Sequence, residues 1–198
     1  EWGKSDPKAA LEMAGTLPAG ELRQEAYDAC FASWASRDAK SASNWAQSNL
    51  SGSAASEVFG VIADEWAAND PAAAASWVSS LPNGVISDSA TTSVIDAWAV
   101  RDPQAAARWI DSFPDGDRKS SGLAELAMEW CAQSPEQAAA WAKSRMNDPA
   151  ASEIADALVG SWGYQDPQAA ADWVMTLDPE IQGDCASTLM SAWADSDP

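Results

Sequence analysis

The chain has no histidine, and only eleven basic residues stand against thirty acidic ones. Without histidine there is no Ser–His–Asp or Cys–His arrangement, no histidine metal site and no side chain that ordinarily titrates near neutral pH. The formal charge of 11 − 30 = −19 argues against nucleic-acid or anionic-membrane partners, because both need basic patches to displace counterions. Cysteine is scarce too. Cys30, Cys131 and Cys185 form no CxxC and no zinc-ligand spacing, and three thiols cannot all pair internally. No apolar run approaches the ~18 residues of a membrane span, so membrane insertion is not expected. Phenylalanine and tyrosine number three and two, whereas tryptophan numbers twelve.

Those tryptophans keep time. One set is Trp2, Trp34, Trp66, Trp98, Trp130, Trp162 and Trp193, in five steps of 32 and one of 31. A second set, Trp45, Trp77, Trp109, Trp141 and Trp173, lies eleven residues after the first, with Met13 in the earliest place. The two sets account for all twelve. Other positions share the period, which is the mark of a repeat architecture. The fifth place holds Asp6, Asp38, Asp70, Asp102, Ser134 and Asp166. The sixth holds proline except at Ala39, and the ninth is always alanine: Ala10, Ala42, Ala74, Ala106, Ala138 and Ala170.

The unit therefore reads W-A-x-x-D-P-x-A-A-x-x-W and then a second apolar segment. Asp-Pro before alanines is a helix start with a cause. The carboxylate accepts from unpaired N–H groups of the first turn, and proline at the first helical position sacrifices no hydrogen bond. From Pro103 the segment PQAAARWIDSF predicts a short helix with Ala106, Trp109 and Phe113 on one face. Pro114-Asp115-Gly116 ends it, as Pro82-Asn83-Gly84 and Pro18-Ala19-Gly20 do elsewhere. The segment 118–133 predicts a longer helix that presents Leu123, Leu126, Ala127 and Trp130 to the core. No stretch alternates with period two for long enough to make a strand.

These spacings predict an all-α chain, one α-solenoid of six 32-residue helical hairpins. The units are 2–33, 34–65, 66–97, 98–129, 130–161 and 162–192, with the start of a seventh at 193–198. A lone hairpin cannot bury both its faces, whereas stacked neighbours can. The small residues near the helix crossing, the aromatic that follows and the proline at unit boundaries resemble the tetratricopeptide-type helical-hairpin superfamily. The period is 32 rather than 34, and that family's W-x-x-L-G-x-x-Y stretch is missing. The resemblance implies a right-handed array and a protein-interaction scaffold.

Two readings of the tryptophans stand side by side. On one, the indoles line an exposed ridge and stack on sugars, as in a carbohydrate-binding module. On the other they wedge successive hairpins apart, since a packing hole that recurs calls for the same side chain each time. The strict register favours packing. Trp34, Trp45, Trp66, Trp77, Trp98, Trp109, Trp130, Trp141, Trp162 and Trp173 are accordingly expected in the repeat core, with Ala74, Ala106, Ala138 and Ala170. Asp6, Asp38, Asp70, Asp102 and Asp166 are expected as helix caps. The tryptophans' indole N–H groups should find a backbone carbonyl or a carboxylate in the turn.

The acids Asp64, Glu65, Glu125, Glu129, Asp148, Glu153 and Asp156 are scattered and suit a solvated face better than the paired carboxylates of glycoside hydrolysis. No catalytic, metal or cofactor site is expected. The expected partner is a protein or peptide, and a basic one suits residues 146–198, which hold ten acids and no base. The final Trp193-Ala194-Asp195-Ser196-Asp197-Pro198 repeats the opening of a unit. That suits either a piece of a longer array or ends that stack head to tail, which without closure gives a filament.

Overall fold

The computed structural model describes residues 6–81 and 85–196. Trp2 and the Pro82-Asn83-Gly84 turn lie outside them. Among the described residues the chain is all-α, with eleven helices and no strand. They are α1 (Pro7–Gly15), α2 (Glu21–Asn49), α3 (Gly52–Asn69), α4 (Pro71–Ser79) and α5 (Val85–Ala99). There follow α6 (Pro103–Asp111), α7 (Asp117–Gln133), α8 (Pro135–Lys143), α9 (Ala151–Gln165), α10 (Pro167–Val174) and α11 (Pro179–Ser196).

The helix starts have one geometry. Asp6, Asp38, Asp70, Asp102, Ser134 and Asp166 all sit at φ between −143° and −153° and ψ between 73° and 87°. Five of these side chains accept a hydrogen bond from the N–H three residues on. The acceptor–donor pairs are Asp6 with Ala9 (3.1 Å), Asp38 with Ser41 (3.0 Å), Asp70 with Ala73 (3.0 Å), Asp102 with Ala105 (2.9 Å) and Asp166 with Ala169 (3.0 Å). Ser134 makes no such bond. The N–H of Asp70, Asp102, Ser134 and Asp166 in turn donates to the carbonyl of the tryptophan four residues back, at 2.7–2.9 Å. α3 is thus joined to α4, α7 to α8 and α9 to α10 through a single non-helical residue, whereas residues 100–102 separate α5 from α6.

Asp38 shows what proline adds. It has the same dihedrals as the other caps, yet α2 runs past it from Glu21 to Asn49 as one kinked helix. Ala39 stands where the other caps have proline, and it keeps its N–H and imposes no bias on the preceding residue. The turns into α2 and α7 need glycine for a different reason. Gly20 and Gly116 both adopt φ 141°, which a side chain would strain.

The chain divides into two compact units, residues 1–97 and 98–198. In the first, α1 packs on α2, α2 on α3 and α3 on α4, around Leu11, Phe31, Val58, Ile62 and Val78. In the second, the long helices α7, α9 and α11 pack side by side. The short helix α8 lies against both α7 and α9, and α10 against both α9 and α11. Ile110, Leu123, Leu126, Ile154, Leu158 and Val159 are sealed from solvent there. The ninth-position alanines explain how helices come so close: Ala42, Ala74, Ala106, Ala138 and Ala170 are wholly buried, and Ala10 is half-buried. Contact at Gly163 is tighter still, since a Cβ built there would lie 2.7 Å from the Cβ of Ala192. No helix among the described residues is long and apolar enough to cross a membrane.

Candidate functional site: paired indoles and two grooves

The two tryptophans of a unit meet each other. Ring centroids are 5.5 Å apart for Trp66–Trp77, 6.1 Å for Trp98–Trp109, 5.6 Å for Trp130–Trp141 and 6.5 Å for Trp162–Trp173. The interplanar angles of 26–49° place them between stacked and tilted, within the range where aromatic pairs add to simple burial. In the second hairpin Phe31 sits between the partners, 6.3 Å from Trp34 and 5.7 Å from Trp45. The first member ends a long helix and the second lies two turns into the short helix that follows, so each pair clamps the corner where the chain reverses.

Burial follows the pairing. Trp34, Trp77, Trp130 and Trp162 are buried, while Trp45, Trp66, Trp98, Trp109, Trp141 and Trp173 are half-buried. Trp193 differs, being 40% exposed. Asp6, Asp38, Asp70, Asp102 and Asp166 are all exposed at their helix starts. Hydrogen bonding to Ser41 holds the carboxyl of Asp38 below the usual carboxylate range. The indole N–H expectation is not met at three places. Nε1 of Trp77, Trp141 and Trp173 is buried without an acceptor. The cap carboxylates of Asp70 and Asp166 are turned to the first-turn backbone instead.

Polar contacts between neighbouring hairpins span about one period. Ser152 Oγ donates to Asp184 at 2.7 Å and Thr188 Oγ1 to Asp156 at 2.5 Å, each across 32 residues. Lys143 Nζ donates to Thr176 Oγ1 at 3.0 Å across 33. The strongest of these contacts went unpredicted. Arg145 grips Asp111 through two 2.6 Å bonds, lies 3.7 Å from Asp148 and places its guanidinium 5.3 Å above the Trp141 ring. Its hydrogen bonds and charge lower the carboxyl of Asp111 below its ordinary value.

Each unit has a groove open to a ligand among its described residues. In the first unit a cavity of about 740 Å³ is lined by Glu21, Glu25, Asp28 and Glu57, with Arg23 and Tyr27. Arg23 is committed to the Leu17 carbonyl, its Nε donating at 2.7 Å, and Gln24 donates to Asp28 at 2.9 Å. Four carboxylates around one opening suit a cationic guest. In the second unit a groove of about 380 Å³ runs between Gln104, Trp130, Gln137, Ala140 and Trp141. Two indoles and two amides offer apolar faces and hydrogen bonds without charge.

The remaining reactive groups are placed as packing. Burial pushes the thiols of Cys131 and Cys185 up to about 11, and that of Cys30 upward as well. A thiol so raised is a poor nucleophile at neutral pH. Glu125 is half-buried and its carboxyl is raised, first by burial and then by Glu129 one turn along α7. Both acids lie on one helix. No family model matches the chain, and no curated protein or solved structure matches it either.

Proposed function

We propose that the chain is an α-solenoid of six 32-residue helical hairpins, tetratricopeptide-like in pattern, which works without catalysis as a scaffold for a basic protein or peptide segment. The observation that carries this reading is the single cap geometry at six positions 32 residues apart, with a tryptophan pair straddling four of them. Units of one kind, each packing on its neighbours, leave an extended surface for docking. The partner's charge follows from the net −19 and from the acid-lined groove of the first unit.

A Lys-rich peptide titrated by calorimetry tests the function. Binding that weakens steeply with added salt, and at least tenfold on combining Glu21→Gln, Glu25→Gln and Glu57→Gln, supports the reading. A peptide that fails to bind at low salt, or binds the triple variant equally well, refutes it. The carbohydrate reading has less support, because Trp34, Trp77, Trp130 and Trp162 are buried and the half-buried Trp45, Trp66, Trp98, Trp109, Trp141 and Trp173 each meet another ring.

A further inference from the structure

The seam between neighbouring long helices is closed by polar bonds in the second unit and stands open in the first. Where α9 meets α11, Ser152 donates to Asp184 at 2.7 Å and Thr188 donates to Asp156 at 2.5 Å. Counting 128 residues back from Trp162 to Trp34, Ser152 and Asp156 correspond to Gln24 and Asp28 on α2. Counting 127 back from Trp193 to Trp66, Asp184 and Thr188 correspond to Glu57 and Val61 on α3. The two acceptors recur and the two donors do not. Gln24 donates to Asp28 on its own helix at 2.9 Å, and Val61 has no hydroxyl. Asp28 and Glu57 instead line the cavity of about 740 Å³, a size within the roughly 300–1,000 Å³ of ligand clefts. A guest that brings donors to these two carboxylates completes the seam.

The spacing of the acids says what shape that guest has. Glu21, Glu25 and Asp28 line the cavity at i, i+4 and i+7 of α2. At about 1.5 Å per residue they stand about 6 and 4.5 Å apart along the helix axis. An extended chain repeats one face every ~6.7 Å, so three of its side chains span about 13 Å and overrun a stripe of about 10.5 Å. A helix with bases one turn apart reproduces both intervals. The cavity's own guanidinium, on Arg23, is committed to the Leu17 carbonyl.

We propose that the groove between α2 and α3 binds a basic amphipathic helix of a partner protein, with Lys or Arg at i, i+3 or i+4, and i+7 set against Glu21, Glu25 and Asp28. Glu57 flanks the same guest from α3. Charge-assisted hydrogen bonds to Asp28 and Glu57 take the place of the serine and threonine bonds that close the α9–α11 seam. The inference rests on the basic-partner reading above and narrows that partner's docking segment to a helix, recognised by bases along one of its faces.

Calorimetry with three synthetic peptides of equal length and equal lysine content tests it. The first carries lysines at i, i+4 and i+7 on one face of an alanine-rich helix. The second scatters them around the helix, and the third keeps the spacing but has a central proline that breaks the helix. The first binds about tenfold or more tightly than either of the others. Asp28→Asn weakens that binding about fivefold. Val61→Thr keeps every carboxylate but offers Asp28 the hydroxyl that Thr188 gives Asp156, and it weakens the first peptide about threefold. Equal binding of the three peptides, or a Val61→Thr chain that binds the first as the parent does, overturns the helical guest and leaves the basic-partner reading standing. Failure of all three to bind at low salt overturns both.

Discussion

Trp130→Ala removes one half of a ring pair from the second unit. The indole is 5% exposed, ends α7, and lies 5.6 Å from Trp141 at 38°. A buried tryptophan hides roughly 150–250 Å², which at ~25 cal/mol per Å² comes to about 4–6 kcal/mol, an upper bound because the unfolded chain is not fully extended. Large-to-small aromatic truncations cost about 3–5 kcal/mol. For a chain of this length each kcal/mol moves the melting temperature by roughly 2–4 °C, so a fall of ~10 °C or more is expected. Urea unfolding followed by far-ultraviolet circular dichroism measures it. Trp130→Phe retains a ring against Trp141 and should lose about 1–2 kcal/mol. Trp193→Ala, at a site already 40% exposed, should lose less than half of what Trp130→Ala does. A Trp130→Ala chain within about 1 kcal/mol of the parent, or a Trp193→Ala chain equally damaged, refutes the packing account.

Asp102→Ala should cost about 1 kcal/mol and Asp102→Asn far less, while Ser134→Asp, which supplies the missing acceptor, should gain a few tenths to about 1 kcal/mol; thermal melts compare the three. Gly163→Ala should destabilise by about 1–3 kcal/mol, because the 2.7 Å approach to Ala192 outweighs a helix-propensity gain of about 1 kcal/mol. Gly183→Ala, also helical but with open space around it, should instead stabilise by about 0.5–1 kcal/mol in the same urea titration. Acid titration probes the Asp111–Arg145 clamp. Asp111 titrates below 3.8 when folded, so its contribution is present above the unfolded value and is lost as pH falls through the lower folded one. Arg145→Ala should therefore flatten the stability profile at that acid end, and an unchanged profile would mean the pair contributes nothing.

Much of this was legible because the chain states it six times. Asp-Pro-x-Ala gave the helix starts, and the recurring alanine marked where helices press together. The cap at Asp38 could be read from its register, and α2 leaves helical dihedrals there even though Ala39 replaces proline. Pairing within a unit also escaped the sequence. An eleven-residue spacing runs through a non-helical corner, and helical periodicity says nothing about where two rings meet across it. Arg145 and Asp111 carry no repeated signal at all, being the sixteenth and fourteenth residues of different units with no counterparts elsewhere. Acceptor-free indoles at Trp77, Trp141 and Trp173 reflect rings turned into the corner, away from the carboxylates that sequence placed nearby. The two grooves arise from surface relief between helices, which local pattern does not encode.

Removing one whole unit tests the central claim most directly. Deleting residues 130–161 joins Glu129 to Trp162 in register, and circular dichroism with urea unfolding should report a shorter chain of unchanged helicity per residue and cooperative melting. Deleting 130–157 instead removes four residues fewer and should leave a poorly folded chain. If the in-register deletion unfolds, or both deletions behave alike, the chain is not built from interchangeable hairpins.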